Sequence, residues 1–143
     1  MDLISVRELF KNTSAYADKE ITVGGWVRAN RKSKQFGFIS LNDGTYFTPV
    51  QVVYTDAMEN FQEIAKVNIG AALIITGKLL LTPDAPQPFE IQAASVAVEG
   101  QSTGDYPMQK KRHSVEFLRT MPHLRPRTNL FQAVFRVRSL AAY

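Results

Sequence analysis

The stretch Phe36-Gly37-Phe38-Ile39-Ser40-Leu41-Asn42-Asp43-Gly44, followed by Pro49-Val50-Gln51-Val52-Val53-Tyr54, decides the fold. β-Branched and aromatic side chains dominate both ends and fit a pleated, half-buried surface. Between them Asn42-Asp43-Gly44 supplies turn chemistry, because Asp and Gly tolerate the positive φ of a tight connection. The two runs read as a hairpin of adjacent strands. Upstream, Ile21-Thr22-Val23-Gly24-Gly25-Trp26-Val27-Arg28 alternates as an earlier strand. Its two glycines weaken it unless the strand bends sharply or another backbone comes close. The basic stretch that follows, Arg28 to Lys34, reads as a loop.

Working outward, Ser5 and Glu8 form a capping box ahead of Val6, Leu9 and Phe10, which predicts a short helix over residues 6–12. Met58, Phe61, Ile64, Ala65 and Val67 predict a second amphipathic helix over residues 57–67. Ala71 to Leu80 is a largely buried fourth strand, and Thr82 to Pro88, with prolines at 83, 86 and 88, is a loop. Phe89-Glu90-Ile91-Gln92-Ala93 then alternates and continues to Val98 as a fifth strand. Strand, strand, strand, helix, strand, strand is the order of a mainly β, five-stranded OB-fold barrel, which binds through the face of strands 2–3 and the loops 1–2 and 4–5. Small SH3-like barrels give a similar string, so order alone leaves both open.

After Gly100 the texture changes to a polar linker and then a mixed basic and apolar stretch around Pro122 and Pro126. From Asn129, Leu130, Val134, Val137 and Ala141 recur at helical spacing, with Thr128 or Asn129 as cap. No stop signal precedes Tyr143, so the expectation is an N-terminal piece of a longer protein. The expected organisation is a barrel with its N-terminal helix over 1–103, a hinge over 104–128, and a cut helix over 129–143.

The net charge of +4 conceals an asymmetry. Residues 1–109 carry nine Lys/Arg against twelve Asp/Glu, a balance of −3, whereas residues 110–143 carry eight against the single Glu116, a balance of +7. A nucleic-acid reading of the barrel must therefore rest on a local cluster, and Arg28, Arg31, Lys32 and Lys34 provide one. The absence of cysteine excludes a disulfide framework, a thiolate zinc site and a cysteine nucleophile. Without a basic, apolar leader at Met1–Ser5 or an apolar run long enough to span a bilayer, the chain reads as soluble and cytoplasmic, with no membrane partner.

Single-stranded nucleic acid offers phosphates to Arg and Lys, and base faces to aromatic rings. Phe36 and Phe38 are two apart and share a face; they are either stacking platforms or core residues. Gln51 heads an apolar run, where a carboxamide can read a base edge or simply face solvent. Glu90 and Gln92 share a face after the Pro-rich loop, with the same two readings. His113 and His123 have no carboxylate partner except Glu116, and neither a phosphate-binding glycine loop nor a pair of carboxylates placed for acid–base work is present. No catalytic residue and no metal ligand is assigned within the chain. A generic single-strand-binding module and an oligomerisation domain working through its C-terminal helix stand as alternatives.

Val23-Gly24-Gly25-Trp26-Val27-Arg28, Phe38-Ile39-Ser40-Leu41-Asn42-Asp43-Gly44, Gln51-Val52-Val53 and Phe89-Glu90-Ile91-Gln92-Ala93 together resemble the N-terminal anticodon-binding domain of the class II aminoacyl-tRNA synthetases for Asp, Asn and Lys. The hinge, Tyr106-Pro107-Met108-Gln109-Lys110-Lys111-Arg112-His113-Ser114 with Glu116-Phe117-Leu118-Arg119 and His123 to Asn129, is similar to the asparaginyl branch; an aspartyl-type synthetase is the nearest alternative. The resemblance implies recognition of the GUU anticodon loop of the asparagine tRNA. Phe38 would stack on the middle U and Gln51 would bond its edge. Arg31 would steady the anticodon backbone, with Arg28 and Lys34 in support and Phe36 beside Phe38. Glu90 and Gln92 would lie near the flanking bases, Gln92 standing where aspartyl enzymes tend to have Glu. It further implies a parent ligase that uses ATP and magnesium and dimerises through a catalytic domain starting at the 129–143 helix. The signatures that hold ATP would then lie beyond Tyr143, and this stretch itself would bind no cofactor.

Overall fold

A computed structural model describes residues 2–109 and 111–143. In chain order the elements are α1 (Val6–Lys11), α2 (Thr13–Tyr16), β1 (Glu20–Lys32), β2 (Phe36–Asn42), β3 (Val50–Thr55), α3 (Phe61–Ala65), β4 (Ala72–Leu81), β5 (Phe89–Gly100), α4 (Val115–Arg119), a 3-10 turn at Arg125–Arg127, and α5 (Asn129–Ala142). The chain divides into two compact units, Met1–Gln109 and Lys110–Tyr143.

In the first unit the strands close into a barrel of order β1-β2-β3-β5-β4, the OB-fold arrangement. Closure depends on the length of β1. Its first half pairs antiparallel with β4, Glu20 opposite Lys78 through Trp26 opposite Ala72, and its second half pairs with β2, Trp26 opposite Asn42 through Lys32 opposite Gly37. Gly25 fits the expected close approach, since a Cβ there would lie 2.7 Å from the Asn42 carbonyl oxygen. Inward-facing Ile21, Val23, Val27, Ile39, Leu41, Val52, Leu73, Ile75, Leu79 and Ile91 fill the interior. Their burial removes apolar surface from water and is the main force holding the barrel.

Helices α1 and α3 pack against the barrel core, through Val6 and Leu9 and through Phe61 and Ile64. Ser5 Oγ accepts from the Glu8 amide as α1's cap, and Asp43 and Thr45 of the β2–β3 connection accept from the Val6 and Arg7 amides. Tyr46 of the connection stacks on Phe10 of α1, ring centroids 4.6 Å apart. Helix α3 is shorter than the 57–67 pattern predicts. Residues 56–60 are turn, and Asn60, instead of capping α3, donates its amide to the Val96 carbonyl. Phe61 and Ile64 are the buried residues of α3. Asn30 donates to the carbonyls of Ile64 and Val67 and accepts from the Tyr54 hydroxyl at 2.8 Å, tying β1, β3 and α3 together.

One expectation is overturned. Arg28 to Lys34 is not a loop: β1 runs to Lys32, and only Ser33, Lys34 and Gln35 connect it to β2. Arg31 and Lys32 are exposed and Arg28 is half-buried while the strand's backbone bonds to β2, which is why polarity alone misleads there.

In the second unit, Ser114 Oγ accepts from the Phe117 amide to start α4, a helix the sequence reading did not anticipate. Thr128, the first of the two expected caps, accepts from the Phe131 amide to start α5. The Arg125 guanidinium lies 4.9 Å over the Phe131 ring and 5.7 Å from Phe135. Among the described residues, no helix is long and apolar enough to cross a membrane.

Candidate nucleic-acid interface

Strand β2 alternates strictly. Gly37, Ile39 and Leu41 point inward and are buried, so Phe36 and Phe38 must point outward. The two rings meet edge to face, centroids 5.4 Å apart at 86°. Such a contact holds the Phe38 ring at a fixed angle to the sheet, and Phe36 itself is 41% exposed.

Register carries this outer face across neighbouring strands. Phe38 stands opposite Arg31 on β1 and Val53 on β3, and Val53 pairs in parallel with Gln92 on β5. One position along, Ser40 stands opposite Gln51. Gln51 is thus a diagonal neighbour of Phe38, about 7–8 Å away and within reach of a long side chain. Glu90, two residues before Gln92, lies on the same face of β5, half-buried, while Gln92 is exposed. A cation, an aromatic plate, a carboxamide, a carboxylate and a second carboxamide therefore line one sheet surface. Lys34 projects from the three-residue connection at the edge of this surface and is exposed.

Arg28 is placed differently. The register slips between Val27 and Ala29, making Arg28 the extra residue of a β-bulge, off the row through Arg31 and Phe38. It is half-buried, and desolvation lowers the pKa of its guanidinium despite the opposing influence of Tyr106. Tyr106 packs over Gly70, whose φ of +95° suits glycine and where a Cβ would meet the ring at 2.6 Å. Arg28 thus belongs to a Tyr106–Gly70 corner beside the face.

Sequence reasoning missed Ser40 and Val53, which complete the face between the named residues, and Lys78, opposite Gln92 on β4. Strand parity on β3 pointed to Val53. Lys78 required the β4–β5 register. Among the described residues no group of His, Cys, Asp or Glu side chains is placed to hold a metal ion, and His113 stacks on Phe117 instead.

An outward, rigid aromatic plate flanked by cations and amide groups can stack a base, hold its backbone and bond its edge. The chain is 57% identical over 143 residues to an asparagine–tRNA ligase of Alkaliphilus oremlandii, covering all of this chain and 31% of that protein. It is 58% identical over 139 residues to an asparagine–tRNA ligase of Acetivibrio thermocellus, covering 96% of this chain and 30% of that one. The chain therefore spans a little under a third of the length of these relatives. Among solved structures it matches the asparaginyl-tRNA synthetase of Pyrococcus horikoshii with a TM-score of 0.83 at 22% identity, over 97% of this chain and 32% of the other, a likeness of fold. Residues 21–99, more than half of the chain and containing every residue of the face, match the OB-fold nucleic acid binding domain model, and the chain belongs to that tRNA anti-codon family.

Proposed function

We propose that the outer face of β1, β2, β3 and β5 is the anticodon-binding surface of an asparagine–tRNA ligase, and that it reads the GUU anticodon of the asparagine tRNA. In this reading the middle U stacks on Phe38, and Gln51, its diagonal neighbour, bonds the base edge with a donor and an acceptor together. Arg31, opposite Phe38, takes the backbone phosphate, with Lys34 at the edge and Arg28 supporting from the bulge. Phe36 fixes the plate. Glu90 and Gln92 address the flanking bases.

The whole ligase would join asparagine to its tRNA with ATP and magnesium in the cytoplasm, as a homodimer through the domain that α5 begins. In this reading the work of this stretch is to bind and orient RNA, and ATP and magnesium are used by the rest of the ligase. The expected organisation of barrel, hinge and first catalytic helix, at 1–103, 104–128 and 129–143, is part of the same proposal.

The observation that carries this reading is the single row Arg31–Phe38–Val53–Gln92, with Gln51 beside it. Competition between anticodon stem-loops tests it. A GUU loop is expected to bind the 143-residue chain at least about tenfold more tightly than a loop with the same bases scrambled, since one good base contact is worth about 1–3 kcal/mol. Equal affinities would make the face a sequence-indifferent single-strand binder.

A further inference from the structure

Continuing the row past Gln92 reaches Lys78. The β4–β5 register sets Lys78 opposite Gln92, so Arg31, Phe38, Val53, Gln92 and Lys78 form one line across five strands. Neighbouring strands lie about 4.8 Å apart, which puts Arg31 and Lys78 about 19 Å apart along the curved surface. That is the span of a short run of extended nucleotides, at the low end of the roughly 4–16 an OB fold accommodates. The next step of the row returns to β1 at Glu20, eleven residues before Arg31, so the line winds around the barrel as its stagger requires.

Two local features hold Lys78 in place. Gly77 lets β4 press against β5, since a Cβ there would sit 2.2 Å from the Gln92 carbonyl oxygen. Ala94 is the extra residue of a bulge on β5 at this level, where the register passes from Thr76–Ser95 to Gly77–Ala93. Gly77 is buried and Lys78 is exposed, which turns the ammonium outward next to Gln92. Glu20 faces it from β1, yet among the described residues no hydrogen bond or ion pair engages the Lys78 side chain. Glu20 is the nearest carboxylate by register, so a phosphate reaching the end of the row would meet an exposed cation that the strand pairing leaves outward.

We infer that Lys78 is a further RNA-binding residue, resting on the anticodon-binding reading above: its ammonium takes the backbone phosphate of the nucleotide whose base lies over Gln92. Arg31 and Lys78 then hold the two ends of a strand whose bases are read between them. A phosphate contact contributes to every sequence alike and to the salt dependence, not to base choice.

Lys78→Gln, Lys78→Arg and the control Lys66→Gln, on the exposed C-terminal side of α3, are compared in the full 143-residue chain by titrating GUU and scrambled stem-loops from 50 to 200 mM salt. Lys78→Gln is expected to weaken both loops by the same factor and to reduce the slope of log K against log salt by about 0.7, so its deficit shrinks about 2.6-fold across that range. Lys78→Arg should keep the slope, and Lys66→Gln should leave slope and affinity unchanged. Unaltered slope and affinity in Lys78→Gln, with GUU still preferred by the unaltered chain, would overturn the Lys78 assignment alone. An equal slope loss in Lys66→Gln would also overturn it, reducing the effect to net charge. Loss of GUU preference in the unaltered chain would overturn the anticodon reading; a Lys78-dependent slope would then still place Lys78 on a nonspecific RNA path.

Discussion

Phe38 is held by what it cannot do: with Ile39 and Leu41 committed to the core, its ring has only the outer face, where Phe36 braces it edge-on. Phe38→Ala is therefore expected to cost RNA binding and little stability. One stacked base is worth about 1–3 kcal/mol, whereas the lost ring–ring contact is worth about 0.5–1.5 kcal/mol. Fluorescence anisotropy with a GUU stem-loop, beside a thermal melt, measures both; undiminished affinity would remove Phe38 as the platform. Sequence parity placed Phe36 and Phe38 on one face but could not say which, because Ile39 and Leu41 are equally apolar. Only the closed barrel, with room inside for one of the two sets, decides. Arg28 shows the opposite limit. Its sequence neighbourhood groups it with Arg31, and a one-residue bulge separates them.

At the level of elements, the link between strand β3 and helix α3 runs through Tyr54 and Asn30. Burial favours the neutral phenol and raises the Tyr54 pKa; its hydrogen bond to Asn30 opposes this more weakly. A tyrosine whose folded pKa is raised adds stability that is fully present below the unfolded value, about 10, and is lost as pH rises through the higher folded value. Denaturant unfolding of the unaltered chain should therefore show stability falling above about pH 10. Tyr54→Phe should lose about 1–3 kcal/mol at neutral pH, because the Asn30 oxygen is left without its donor, and should lack this tyrosine's share of the alkaline decline. A variant as stable as the parent, or one with the same alkaline fall, would show that the contact does not support the barrel. The strands themselves were largely legible from alternation and turn residues. Their bulges were legible only in retrospect, as phase changes. In β5 the inward set passes from Phe89, Ile91 and Ala93 to Val96 and Val98, and in β1 from Val27 to Asn30. Asn30 is polar, so its inward position hides the change until Tyr54 and the α3 carbonyls are seen to satisfy it.

For the whole molecule, charge and binding face are distributed unequally. The barrel's acidic balance opposes RNA at long range, and the basic residues past Gln109 lie in the other compact unit. Binding at the face must then come from a few local phosphate contacts plus stacking and base-edge bonds, and these two classes separate experimentally. With about four phosphates engaged, affinity for a GUU stem-loop should fall roughly fiftyfold between 50 and 200 mM salt, from a slope of about −0.7 per phosphate on a single strand. Scrambled loops should follow the same slope from a weaker starting point, since phosphates carry no sequence information. Arg31→Gln should flatten the slope by about 0.7 for every sequence. Phe38→Ala should instead shift the whole line downward without changing its slope. A flat titration would remove the electrostatic contribution altogether. A steep one that Arg31→Gln, Lys34→Gln and Lys78→Gln all leave untouched would move the phosphate contacts off the barrel and onto the basic second unit.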